Sequence, residues 1–399
     1  MDFNTYVKDL TSRPLTKELS FSESEYRSRI EEVRKVMDER NLDVLLITHA
    51  PSLSYLSGYQ SFGTSWASCL ILPREGEPVL NMHGLEIGTA MLTSWIKDIR
   101  GVSWSYGGTA DQIAGIVKEF TLGNQRVGIQ GKRAGLSVEL YEGLKAALPG
   151  VTLVEASDVV ERPRLIKSEA ELNYMRQAAQ ITKKGLAAVL PVIKAGVTDN
   201  DIAAVIYETL IAEGSEYFSI QPIVSAGERN TVIHTTFRRT PVQAGETVIL
   251  EFGATYERYT SPLMHTVAIG TPAPEFEDRA RIVNETLDRL FEAVKPGRSA
   301  HDVAREVGVG MSKISTLPAA SHVYGYSLGI GMPPSWTEDT LYIREGIEQE
   351  LKPGMTFHSP IVPDVPGEPG VGFSETWVVT ETGCEVLTKH DRDLTVVDV

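Results

Sequence analysis

Within the stretch Thr247 to Thr266, TVILEFGATYERYTSPLMHT, one carboxylate, Glu251, follows directly on the aliphatic run Val248-Ile249-Leu250. The run reads as a buried strand that ends at Glu251 and turns through Gly253 into the polar ribbon Tyr256 to Thr260. Burying an acid beside such a run is costly unless a partner or a reaction uses its charge. Taken alone, the segment is equally consistent with a strand-end glutamate that simply reaches water. Upstream, His234 lies in SAGERNTVIHTTF. A neutral imidazole can carry protons to and from water near neutral pH, although a lone histidine also suits a structural role. Downstream, Glu375 in GFSETWVVT offers a second acid, or an exposed strand residue. Aromatic side chains at Trp66, Tyr256, Tyr326 and Trp377 could pack on a bound cation, and each fits a core position as well, Trp377 above all.

The elements that must position these groups are marked by capping and patterning. Ser22-Glu23-Ser24-Glu25 opens a helix with a capping box, and Tyr26, Ile30, Val33 and Met37 form its apolar stripe. A strand is expected at Val44 to Ile47, and another in the apolar run Ala67 to Leu72, after the loop sequence Ser52 to Trp66. Strands and helices alternate up to Leu153, the pattern of an α/β domain. Arg162-Pro163-Arg164 reads as a linker, and Ser168-Glu169-Ala170-Glu171 opens the next helix, with Leu172, Met175 and Ala179 on its apolar face.

Two sequence echoes follow. KAGVTDNDIA (Lys194 to Ala203) matches KPGRSAHDVA (Lys295 to Ala304) at an offset of 101, and QAGETVILEF (Gln243 to Phe252) matches KPGMTFHSPI (Lys352 to Ile361) at an offset of 109. Ordered echoes at similar offsets imply a duplicated helix-and-strand unit with approximate two-fold symmetry. Glu251 then falls opposite Pro360.

With 399 residues, 42% of them hydrophobic and 23% charged, the chain has room for two ordinary globular domains. A net charge of -15 argues against nucleic acid as a partner, because no basic patch would offset phosphate repulsion. The N-terminus lacks the apolar core of a signal peptide and no run of about eighteen apolar residues occurs, so no membrane contact and a cytoplasmic location are expected. Cys69 and Cys384 form neither a disulfide pattern nor a thiolate metal motif.

The Thr247 to Thr266 stretch resembles the first metal-binding ribbon of the creatinase, proline dipeptidase and methionine aminopeptidase superfamily, the pita-bread fold. The resemblance implies an α/β two-domain protein: a creatinase-type α/β domain over residues 1–160 and an α+β pita-bread domain with an internal pseudo-two-fold repeat over 161–399. In metal-binding members two Asp, a His and two Glu converge. Here those positions carry Glu251, Pro262, Tyr326, Pro360 and Ser374. One carboxylate in five cannot offset two divalent ions, so neither a catalytic metal nor any other cofactor is expected.

Creatinase is the metal-free relative in this superfamily, and its catalytic histidine matches His234. His322 in SHVYGYSLG matches a second creatinase histidine near the substrate. Tyr326 and Thr64 stand where arginines grip the carboxylate of creatine, while Phe62 is retained, so creatine is not the expected substrate. A charged Glu251 suits an amidinium, whose two N–H groups can meet one carboxylate. These features resemble the ectoine hydrolase branch. The resemblance implies metal-independent opening of a small cyclic amidine, with catalytic His234, Glu251 and Glu375. Phe62, Thr64, Trp66, Tyr256, His322 and Tyr326 would bind the substrate. It also implies a homodimer in which a loop such as Ser61 to Trp66 completes the neighbouring site. The competing readings are a creatinase-like amidinohydrolase, an Xaa-Pro peptidase, and a binding protein of the same fold without activity.

Overall fold

In the computed structural model, residues 3–60, 68–102, 108–120, 125–315, 321–363 and 367–399 are described. The chain divides into two compact units, 1–164 and 165–399.

The first unit holds helices α1 (Phe3–Thr11), α2 (Glu23–Glu39), α3 (Ala50–Ser57), α4 (Ile87–Thr93), α5 (Thr109–Phe120), α6 (Val138–Ala147) and α7 (Asp158–Arg164). Its strands are β1 (Val44–Ile47), β2 (Cys69–Pro73), β3 (Val79–His83), β4 (Asp98–Val102), β5 (Arg126–Ile129) and β6 (Thr152–Glu155), in the sheet order β4-β3-β2-β1-β5-β6. Strand β1 is buried along its whole length, which is why VLLI is continuously apolar rather than alternating. Two expectations are corrected here. Ser22 caps α2 by accepting from the Glu25 N–H, but Glu25 turns to Arg29 at 3.2 Å instead of closing the box. Arg162-Pro163-Arg164 is the last turn of α7 rather than a linker; Arg40–Asp158 and Arg162–Glu39 ion pairs fasten α7 to α2 and its C-cap.

The second unit holds helices α8 (Glu169–Val189), α9 (Asp199–Ala212), α10 (Pro274–Ala293) and α11 (Ala300–Met311). Its strands are β7 (Ile223–Ala226), β8 (Thr247–Tyr256), β9 (Tyr259–Ile269), β10 (Tyr326–Met332), β11 (Ser335–Tyr342), β12 (Thr356–Ile361), β13 (Phe373–Val379), β14 (Cys384–Val386) and β15 (Thr395–Val397). The main sheet runs β11-β10-β12-β13-β9-β8-β7, with β14 beside β13 and β15 beside β9. Helix α8 opens on the full capping box of Ser168 and Glu171. One face of the sheet is covered by helices in two separate cores. In the first, Val248, Leu250 and Phe252 meet Leu186 and Ile206; in the second, Phe357, Phe373 and Trp377 meet Leu287 and Val307.

The duplication is visible bond by bond. The Gly196 N–H donates to Val242 O at 2.9 Å and the Gly297 N–H donates to Leu351 O at 2.9 Å. Isolated bridges join Thr198 to Pro241 and Ser299 to Glu350. Each of these pairs is related by the same two offsets as the sequence echoes. The four echoed glycines, Gly196, Gly297, Gly245 and Gly354, all sit at φ between 84 and 92°, where a side chain would be strained.

Strand β8 does not end at Glu251. It runs on to Tyr256, and the hairpin turns at Glu257 and Arg258, both at positive φ, as a two-residue hairpin that follows the twist of its strands requires. Glu216 secures the turn by accepting from both backbone N–H groups. Gly253 instead allows close approach, since a Cβ there would lie 2.8 Å from the Pro262 Cα opposite. Pro262 is tolerated mid-sheet because its carbonyl, and hence its missing N–H, faces β13, where the Thr376 hydroxyl donates to that carbonyl.

Candidate active site

Strand register decides which side chains meet. Glu251 lies opposite Met264, Met264 opposite Ser374, and Ser374 opposite Pro360, forming one row across β8, β9, β13 and β12. Gly253 opposes Pro262 and Tyr326 opposes His358, one pleat away. Because side chains alternate along a strand, and Leu250, Phe252, Phe357 and Phe373 enter the helix-side cores, the row projects from the opposite face. Glu251, Pro262, Tyr326, Pro360 and Ser374 therefore share the face opposite the helices.

Glu251 is 6% exposed and has no hydrogen bond or ion pair among the described residues. Burial alone pushes its carboxyl up to about 7. Its charge bears on Tyr326, whose phenol is held well above its ordinary value, first by burial and then by Glu251.

The Tyr326 hydroxyl belongs to a chain of four side chains. Trp336 Nε1–H donates to the Tyr326 oxygen at 2.8 Å, the same hydroxyl lies 2.8 Å from His358 Nδ1, and His358 Nε2 lies 2.7 Å from Ser374 Oγ. His358 is fully buried, and burial pushes its imidazole down to about 3, so it is neutral. Sequence reasoning missed His358 and Trp336. The available signal was spacing: His358 precedes Pro360 by two and so shares its face.

His234 sits on the connection from β7 to β8, exposed and at a left-handed φ of 65°, with no hydrogen bond among the described residues. Its neighbour Thr235 is bonded to Ser225 Oγ at 2.7 Å, and Ser225 lies one pleat from Ile223, the partner of Glu251. The loop is thus tethered to the Glu251 face. Asp199, buried at the start of α9, accepts from the N–H groups of Arg238 and Thr240 at 2.9 and 2.8 Å and fixes the far end.

Other expected site residues lie elsewhere. Glu375 alternates with Ser374 and points to the helix side, neither beside Glu251 nor exposed. There the Thr388 hydroxyl donates to it at 2.7 Å, with His390 Nδ1 at 3.2 Å and Arg392 Nε at 3.6 Å. These donors make an interior carboxylate tolerable. Tyr256 is in phase with Phe252 and Ala254 and meets Tyr174 of α8 at 5.8 Å, so it too is on the helix side. Trp377 stacks on Phe357 at 4.7 Å in the core. His322 is buried beside Tyr324 on the segment leading to β10. Phe62, Thr64 and Trp66 lie outside the described residues.

The donor set does not fit a dinuclear metal centre. Pro262 and Pro360 have no donor atom, Tyr326 and Ser374 offer neutral hydroxyls already engaged with His358, and Glu251 alone carries charge. Among the described residues no three His, Cys, Asp or Glu side chains cluster as metal ligands would.

Comparison with known proteins gives the same architecture. Residues 173–381 match the metallopeptidase family M24, and residues 29–166 match the creatinase/prolidase N-terminal domain. Ectoine hydrolase from Halomonas elongata is 30% identical over 95% of this chain and 98% of its own. An Xaa-Pro dipeptidase from Pyrococcus furiosus is 26% identical over 92% and 99%. The solved structure of a prolidase from Thermococcus sibiricus superposes with a TM-score of 0.83 at 24% identity, over 93% of this chain and 99% of that one.

Proposed function

Because this chain belongs to metallopeptidase family M24, with a creatinase/prolidase N-terminal domain and hydrolases as its relatives, we propose that it is a metal-independent hydrolase opening the cyclic amidinium ring of ectoine. The observation that carries this reading is Glu251, a buried carboxylate without a counter-ion, on a face where the other four ligand positions are uncharged. Such a site is matched by one compact cation rather than by two divalent ions. One ring N–H of the planar amidinium can donate to Glu251 in a charge-assisted hydrogen bond, and the cation's charge would lower the carboxyl's affinity for a proton.

Ring opening adds the oxygen of water to the amidinium carbon, C2, and then breaks one C2–N bond. Glu251 holds and orients the cation. His234, on its tethered loop, takes the proton that water loses as the C2–O bond forms. The departing ring nitrogen must in turn receive a proton. The product is an acetylated 2,4-diaminobutyrate, the N-alpha isomer by resemblance to the ectoine hydrolase branch.

The test is proton NMR of ectoine incubated with EDTA-treated protein. Loss of the ring signals and growth of an acetyl signal are expected. Inertness towards ectoine, together with cleavage of an Xaa-Pro dipeptide once Mn is added, would replace this reading with that of a peptidase.

A further inference from the structure

The chain Trp336–Tyr326–His358–Ser374 has a proton count that limits what it can offer a bound molecule. An indole N–H only donates, so the Tyr326 oxygen always accepts from Trp336. His358 is neutral and holds one ring proton, shared between contacts of 2.8 and 2.7 Å. With that proton on Nε2, the ring donates to Ser374 Oγ, the Tyr326 O–H is spent on Nδ1, and the Ser374 O–H is released. With the proton on Nδ1, the ring donates to the Tyr326 oxygen, the Ser374 O–H turns to Nε2, and the Tyr326 O–H is released, with Glu251 and Thr337 near enough to act on its charge. Each state frees one hydroxyl only, and moving the ring proton transfers donor capacity between two strands.

We propose that His358 is a relay that carries a proton from the Ser374 hydroxyl to the Tyr326 hydroxyl, and that Tyr326 protonates the ring nitrogen leaving an amidinium held by Glu251. The step rests on the ring-opening reading and balances without any further reagent. As the C2–N bond breaks, its electron pair takes the Tyr326 proton. The phenolate oxygen recovers a proton from Nδ1, Nε2 takes the Ser374 proton, and Ser374, which is fully buried, is refilled by a water molecule that enters as product leaves, while His234 releases to solvent the proton it took from water. Tyr326 is the catalytic residue in this step. His358 touches no substrate and is a positioning residue that acts through the two hydroxyls.

Geometry supports this assignment over a purely structural one. His358 shares its face with Pro360 and lies one pleat from the Glu251 row, whereas the buried His265 and His390 are on the helix side with Glu375. The two hydroxyls it joins also occupy positions matched by metal ligands elsewhere in the superfamily, so the imidazole links β10, β12 and β13 where a metal would otherwise do so.

The test has two arms. Nitrogen-15 NMR of ring-labelled histidine reads the His358 tautomer without any substrate. The expected result is a mixed tautomer in the native protein, Nε2–H in Tyr326→Phe and Nδ1–H in Ser374→Ala, each variant keeping the one partner left. The same fixed tautomer in all three proteins, or a doubly protonated ring, overturns the relay. In the kinetic arm, Tyr326→Phe, Ser374→Ala and His358→Phe each lower kcat for ring opening, Tyr326→Phe by about 10²-fold, with KM changed far less. Combining Tyr326→Phe with Ser374→Ala should cost no more than the larger single loss, since both break one path. Multiplying losses overturn the relay. If the native protein leaves ectoine intact, the ring-opening reading fails while the tautomer arm still decides the relay.

Discussion

Glu251 links the chemistry of the site to the stability of the fold. Its carboxyl holds a proton up to about pH 7 when folded, against an ordinary glutamate value of about 4.5. Between those values the folded chain binds more protons than the unfolded one, so stability falls as pH rises and levels off above 7, by on the order of 3 kcal/mol. Glu251→Gln removes this slope. Urea unfolding at pH 5 and pH 8 should show the native protein losing that amount relative to the variant, and parallel losses would mean the carboxyl is better solvated than its burial implies. The same variant should lower kcat for ring opening at least about 10²-fold, a loss read in the NMR assay. His265 and His358 act on the acid arm. Burial, with His390 adding at His265, holds both at about 3, so their contribution is complete above about 6.5 and is lost as pH falls towards 3. Unfolding of His265→Asn between pH 4 and 7 should show a shallower acid slope than the native protein. Among single residues, Glu251 was legible in the sequence because an acid after three aliphatic residues is anomalous. Glu375 was misread because adjacent strand residues face opposite ways, and its partners, Thr388, His390 and Arg392, arrive from a segment with no motif of its own.

At the scale of elements, placement depends on a close strand pair and a pinned loop. Gly253→Ala should force β8 away from the Pro262 backbone, which cannot yield as a flexible side chain would. A loss of about 2–3 kcal/mol in urea unfolding is expected, together with a larger fall in kcat than in thermal midpoint, since Glu251 moves with the strand. Asp199→Ala leaves the N–H groups of Arg238 and Thr240 without their acceptor. Their amide exchange should rise sharply while that of β8 stays unchanged; equal protection in the variant would show that the loop is held by other contacts. The duplicated turns were legible because glycine is required at positive φ and hydroxyls are required at the N-caps Thr198 and Ser299. The β8–β9 turn was misplaced because Glu257 and Arg258 adopt left-handed geometry without being Gly or Asn, under restraint from Glu216 across the fold.

At the scale of the molecule, no helix among the described residues is long and apolar enough to cross a membrane. A homodimer is proposed from family resemblance, and sedimentation equilibrium should then give a mass of about twice 43.8 kDa. An active protein that stays monomeric at assay concentration would remove it. The two-fold design of the second unit was legible because both halves kept the residues of one turn, whereas the residues proposed to carry the chemistry differ between the halves. The two separate helix-side cores beneath one continuous sheet have a further consequence. Glu251 comes from the half stabilised by α8 and α9, while Tyr326, His358 and Ser374 come from the half stabilised by α10 and α11. Partial melting of either half dismantles the site even while the other keeps its helices, so activity reports the conjunction of two foldons rather than the average state of the chain. On titration with denaturant, turnover should vanish before ellipticity does, and whichever half is the weaker sets how long the enzyme survives stress.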